Sequence, residues 1–156
     1  MTQRKIIAVA LAAAIAGPAE GLRQVWYYDP PGVITVCRGH TGADIDKHKV
    51  YTIPECDALL DKDMRYAIEI VDRCVPGLPP EVLAAFGDAT FNIGSTVACD
   101  TKRSTAARML KAGDLVGACN QLTRWDKARV MGVMVALPGL TKRRALDKEI
   151  CLKGAL

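Results

Sequence analysis

The sequence predicts a mainly helical α+β fold in two lobes, a small β-lobe followed by a larger helical one. Three observations predict it. The turn signal Asp29-Pro30-Pro31-Gly32 leads into the β-branched run Val33-Ile34-Thr35-Val36, which reads as a hairpin. From Thr52 onward, apolar residues recur at helical spacing. Clusters of proline and glycine at 75–80 and 138–139 punctuate that pattern. With 156 residues, half of them apolar, the chain is one domain's worth and can bury a real core.

Taken in order, the chain opens with a basic start, Arg4-Lys5, an apolar run over 6–16 and then Gly17-Pro18-Ala19. A basic start, an apolar run and small residues resemble a secretory signal. Cleavage after Ala19 would leave Glu20 as the first residue with nothing to hold it. Two readings stand side by side: a first helix carrying Glu20 at its C-terminal end, and a weakly hydrophobic signal anchor exported uncleaved. Short strands are predicted near 26–28 and 33–36, and a polar loop around 42–49.

Thr52-Ile53-Pro54-Glu55 is a capping box with proline in the first turn. A helix runs from it to about Arg73, with Leu59, Leu60, Met64, Ala67, Ile68 and Val71 on one face. Further helices are predicted over 81–92, over 101–111 with Gly113 as its cap, and from the Asp114 cap to about Trp125. A helical piece covers 128–135, and a last helix 141–152.

Charge is uneven. Residues 1–99 hold nine Lys/Arg and twelve Asp/Glu; residues 100–156 hold twelve and five. The basic second half suits an anionic polymer such as a bacterial cell wall, or simply a solvated face. Nucleic acid is not expected as a partner, because few aromatics lie among those basic residues to stack bases. Cysteines stand at 37, 56, 74, 99, 119 and 151 with no Cys-x-x-Cys, and the histidines are His40 and His48. Zinc spacing is therefore absent. The even count favours three disulfides in an oxidising compartment, against a reading of six reduced thiols, and spacing does not choose the pairing.

If the first segment is a helix and 33–36 a strand, the hairpin folds Asp29 and Thr35 back towards Glu20. Two carboxylates across a cleft with a hydroxyl beside one of them suit glycoside hydrolysis. A Ser/His/Asp triad is not arguable from the histidine contexts. The Glu20-x8-Asp29-x5-Thr35 spacing, opening as Glu20-Gly21-Leu22-Arg23 and closing on Gly39-His40-Thr41-Gly42, resembles the catalytic region of the T-even-type phage lysozymes, glycoside hydrolase family 24. So do Phe91-Asn92-Ile93-Gly94, Ser104-Thr105 before Arg108-Met109-Leu110, Ala118 to Leu122 with Arg124-Trp125, and Gly139-Leu140 before Arg143-Arg144. The resemblance spans nearly the whole chain and is to the cysteine-rich endolysin branch, signal-anchor-release type included. The stretch 127–137 departs from the family's Ala-Gly-Gly pattern.

The resemblance implies a single lysozyme-like domain over 1–156: residues 1–19 an apolar helix or anchor, 20–52 a catalytic β-lobe, 53–156 a helical lobe. It implies an endolysin cutting the β-1,4 bond between N-acetylmuramic acid and N-acetylglucosamine of peptidoglycan, with inversion. Glu20 would be the general acid, Asp29 the base or electrostatic stabiliser, and Thr35 the hydroxyl orienting water. Asn92, Gly94 and His40 are the substrate-binding candidates, although a lone histidine beside glycine is more often structural; Arg23 is a partner for Glu20, and Arg143 and Arg144 either contact substrate or, as the better expectation, face solvent. The implied disulfides are Cys37–Cys56, Cys74–Cys99 and Cys119–Cys151, the first pinning the catalytic hairpin. No metal or organic cofactor is implied. The expected form is a monomer, phage or prophage encoded, in the host periplasm after export, with residues 6–18 the candidate for transient inner-membrane association. A lytic transglycosylase and a non-catalytic cell-wall-binding module are the alternatives.

Overall fold

The computed structural model describes all 156 residues. Helix α1 (Gln3–Glu20) begins where the Thr2 side chain accepts from the Lys5 amide, and buries Ala8, Val9, Ala12, Ile15, Ala16 and Gly17. Small residues on that face let α1 lie close against its neighbours. Its polar first turn is tied down by Arg4–Asp72 at 2.8 Å and Lys5–Glu69 at 3.0 Å. No helix of the structure is long and apolar enough to cross a membrane.

Strands β1 (Arg23–Tyr28), β2 (Ile34–Cys37) and β3 (His40–Thr41) form an antiparallel sheet in that order, with Tyr27 opposite Thr35 and Thr35 opposite Thr41. Helix α2 (Ile53–Cys74) starts at the Thr52–Glu55 capping box, with both reciprocal hydrogen bonds made. It buries Leu60, Met64, Ala67, Ile68 and Val71 against helix α3 (Pro80–Ile93). Every residue of α3 from Val82 to Thr90 is buried, so α3 is the axis on which α1, α2 and the last helix pack. At Gly87 the missing Cβ leaves room for the Ile68 side chain of α2 where α2 and α3 cross.

Beyond α3 come the short α4 (Thr96–Cys99), α5 (Thr105–Ala112), α6 (Leu115–Gln121) and a 3-10 turn at Leu122–Arg124. Helix α5 starts later than 101 because Ser104 is its cap, and Asp100 instead accepts from the Lys102 and Arg103 amides in a preceding turn. The helix expected over 128–135 is a hairpin, β4 (Lys127–Val130) and β5 (Val133–Ala136). Its valines suit strands, and Met131 and Gly132, at φ 50° and 83°, make the two-residue type I′ turn that right-twisted strands prefer. Helix α7 (Pro138–Ala155) begins at Pro138, which sits in its first turn rather than breaking the chain there.

Disulfides join Cys37 to Cys56, Cys74 to Cys99 and Cys119 to Cys151, tying β2 to α2, α2 to α4, and α6 to α7.

Candidate active site

Glu20 is the last residue of α1, and Gly21 leaves the helix at φ 70°. Its carboxylate is gripped from two sides. Oε1 accepts from Arg143 Nη1 at 2.7 Å. Oε2 lies where a Cβ at Gly39 would be only 2.8 Å away, so Gly39, at φ 81°, admits the carboxylate by having no side chain. The expected partner, Arg23, instead lies over the Tyr27 ring at 4.5 Å.

Arg143 does not face solvent as expected, and neither does Arg144. Both are buried because α3 supplies Asp88, itself fully buried, between them. Arg143 donates to Asp88 from Nε at 3.0 Å and from Nη2 at 2.8 Å, a bidentate pair. Arg144 Nη2 reaches Asp88 at 3.3 Å, and its Nε stands 2.9 Å from Asp147 Oδ2 without hydrogen-bond alignment. Two guanidiniums thus face three carboxylates: Glu20, Asp88 and Asp147. Burial, reinforced by the charge of Asp88, pushes the Asp147 carboxyl up to about 9. That push favours the neutral form of Asp147, beside the tighter pairing of Asp88 with both guanidiniums. Burial works against the charge on Arg143, but Asp88 and Glu20 outweigh it and hold it above the ordinary range. Burial lowers Arg144.

On the hairpin, Asp29 caps its own turn: Oδ1 accepts from the Val33 amide at 2.7 Å, and its backbone N–H donates to Val33 O at 2.9 Å. Thr35 is buried and donates from Oγ1 to Val33 O at 2.9 Å. Tyr27, opposite Thr35, has its phenol pushed up by burial and then by the charge of Glu20, with Asp29 adding to it and Arg23 opposing. Both carboxylates therefore act on the Tyr27 region.

Asn92, on the last turn of α3, lines a cavity of about 620 Å³ with Glu20, Ile15, Leu137, Leu140 and Arg143. Its Oδ1 is buried with no protein partner. Gly94 lines a second cavity of about 380 Å³ with Gly39, Thr41, Tyr66 and Phe91. The two cavities lie against opposite neighbours of the Glu20 carboxylate, Arg143 and Gly39.

His40 does not present a free nitrogen to either cavity. It is buried, with Nδ1 2.7 Å from Asp63 and Nε2 2.8 Å from Asp44. Two carboxylate acceptors call for two N–H donors, the imidazolium. Burial opposes that charge, but the bonds to Asp63 and Asp44 outweigh it and raise His40 above its ordinary 6.5. Burial raises Asp63, whereas His40 lowers Asp44. With a raised folded pKa, the His40 contribution to stability is full below pH 6.5 and is lost as pH rises through the folded value. The Asp44 contribution is instead lost as pH falls below its ordinary 3.8. His40→Gln is expected to cost about 2 kcal/mol, the worth of hydrogen bonds to charged groups. The gap in melting temperature from wild type should be widest between pH 5 and 6.5 and narrow above it; a gap that grows towards alkaline pH would exclude the imidazolium.

Residues 17–147 match the family described as Phage lysozyme. The SAR-endolysin of Enterobacteria phage P21 is 38% identical over 154 residues, covering 94% of this chain and 89% of that protein. Among solved structures, the muramidase domain of SpmX from Asticaccaulis excentricus superposes with a TM-score of 0.76 at 28% identity, covering 93% of this chain and 94% of that one. The active form of the P1 phage endolysin Lyz gives 0.79 over 94% and 85%, at 23% identity, a likeness of fold.

Proposed function

Because the chain belongs to the phage lysozyme family, we propose that it is an endolysin muramidase that lyses the phage's host by hydrolysing the β-1,4 bond from N-acetylmuramic acid to N-acetylglucosamine in peptidoglycan. The observation that carries this reading is the carboxylate of Glu20, fixed between Arg143 and Gly39 and open to a cavity.

Glu20 in its acid form protonates the leaving glycosidic oxygen as the C1–O bond breaks. A water attacks C1 from the opposite face and passes its proton to Asp29. The Thr35 hydroxyl has given its hydrogen to Val33 O, so it meets that water as an acceptor and turns one lone pair of the water towards C1. Glu20 ends ionised, Asp29 ends protonated, and the configuration at C1 is inverted. Asn92, which lines the cavity beside Glu20, is the group that meets the sugar through its side-chain amide. Digestion of purified peptidoglycan tests this: the expected products are hydrated reducing-end muropeptides, with the α-anomer formed first in NMR. Anhydro ends would make the protein a transglycosylase and strip Asp29 and Thr35 of their roles. Absence of products would leave a binding module.

Gly39→Ala places a methyl against the Glu20 carboxylate at a left-handed backbone position. Moving a catalytic group by about 1 Å costs on the order of 100-fold in rate. The expected result is a kcat lower by about that factor with KM little changed, and about 1–2 kcal/mol of stability lost to the positive φ.

Peptidoglycan is reached by export to the host periplasm, with residues 6–18 as a weakly apolar anchor that later docks as α1. The alanines that make the segment only marginally hydrophobic are those α1 buries: Ala8, Ala12 and Ala16. Fractionation of expressing cells should find a membrane or periplasmic pool; a purely cytosolic protein would overturn the route.

A further inference from the structure

The hairpin β4–β5 has no cover. Its register puts Ala128, Val130, Val133 and Val135 on one face, and Lys127, Arg129, Met134 and Ala136 on the other. Val130, Val133 and Val135 are 44%, 63% and 41% exposed, and Met131 at the tip is 99% exposed. Met131 sits at φ 50°, where asparagine or glycine is favoured and a bulky side chain costs free energy. An apolar side chain in solvent at a strained turn position needs a reason that folding does not supply.

The surrounding charge points to the partner. Residues 127–146 hold five basic side chains and no acidic one. Arg143 and Arg144 are spent on Asp88, which leaves Arg129 and Lys142 outside without a carboxylate partner, and Lys127 half-exposed at 3.4 Å from Asp126. Arg129 donates to Gly132 O at 3.1 Å and so stands over the tip. The ribbon has ten residues, Lys127 to Ala136, too few for the roughly 20–30 a side of a stable protein interface. A small amphipathic element with one apolar face, an apolar tip and basic residues on the other face suits the head-group boundary of an anionic bilayer.

We propose that β4–β5 is a membrane-docking finger, with Met131 and the valine face entering the interface of an anionic lipid surface while Lys127 and Arg129 meet lipid phosphates. Leu137 and Leu140 follow the finger directly and line the cavity beside Glu20, so docking holds that cavity next to the bilayer. The element is separate from residues 6–18, and the inference does not depend on the muramidase reading.

The test is sedimentation of the oxidised full-length chain with phosphatidylethanolamine–phosphatidylglycerol vesicles, without peptidoglycan. Wild type should sediment with them at low salt, and M131N/V133N should bind about tenfold less while keeping its fold, since asparagine suits the turn at 131 and Val133, at the exposed start of β5, packs on no core. K127Q/R129Q should lose the preference for anionic over phosphatidylcholine vesicles. M131W should show a blue-shifted emission on vesicle addition that wild type lacks. Wild type remaining in the supernatant would overturn the proposal. So would equal sedimentation of M131N/V133N, which would move the contact to the exposed Ile6–Ile7 end, or self-association of wild type that this variant abolishes, which would make the partner a second copy.

Discussion

Replacing Glu20 by glutamine is expected to leave the fold in place and remove hydrolysis. The glutamine carbonyl can still accept from Arg143 Nη1, so the 2.7 Å contact survives as a weaker hydrogen bond. What disappears is a proton acidic enough to give to the leaving sugar oxygen. General acid catalysis contributes about 10²–10⁴-fold, and in the reading above no other group protonates that oxygen, so the loss is placed at about 10³-fold or more in kcat, with KM little moved. Arg143 keeps its bidentate pair with Asp88, so stability should change by no more than about 1 kcal/mol. Initial rates on purified peptidoglycan beside thermal melts check both halves. Undiminished turnover in the variant would take the acid role from Glu20.

The second large effect is expected at Asp88, which no sugar needs to touch. Asp88→Ala leaves two buried guanidiniums short of a counter-charge, and breaking a buried pair in this way costs about 3–5 kcal/mol. The neighbouring Asp147 blunts that cost. Its proton is held by burial and by the negative charge of Asp88; without Asp88 the carboxyl ionises more readily and answers Arg144. Asp147→Ala alone removes a carboxyl that burial pushes towards its neutral form and should cost less than Asp88→Ala, while the double variant should lose more than the sum of the two. Denaturant melts of the four proteins at pH 7 give the coupling. Additive losses would mean that Asp147 is ionised in the native protein. Activity should fall in Asp88→Ala as well, since Arg143 loses the pair that aims it at Glu20.

What the sequence disclosed depended on how local the physics was. The Thr52–Glu55 capping box and the α2 face from Leu60 to Val71 are contained in neighbouring residues, and both were legible. The Asp29–Gly32 turn was legible too, because proline and glycine dictate backbone angles without help from elsewhere. Residues 128–135 were not. Lys127, Ala128, Arg129 and Met131 are helix-compatible, and only the valines and the Met131–Gly132 turn favour strands, so over eight residues the helical and strand periods compete without a local winner. Arg143 and Arg144 read as surface charges in the sequence because their counter-ion, Asp88, lies 55 positions away from the first of them. Their place in the Gly139-Leu140…Arg143-Arg144 motif was the one available hint that they were not ordinary surface charges. His40, beside a glycine, reads as either a structural histidine or a sugar ligand; its nitrogens are taken by Asp44 and by Asp63 of α2, a pairing that exists only once the β-lobe closes on that helix.

The grip on Glu20 has a consequence for the order of synthesis. Its hydrogen-bonding partner lies 123 residues downstream, on α7, which leaves the ribosome after α1 to α6. A growing chain that has not yet exposed α7 carries Glu20, Asp29 and Thr35 but has no guanidinium to orient the acid, and α3 lacks the neighbour its buried aspartate requires. On the proposed role of Glu20, copies not yet extended to Arg143 are therefore expected to be idle, and competence is expected to arrive in one step when α7 meets the end of α1.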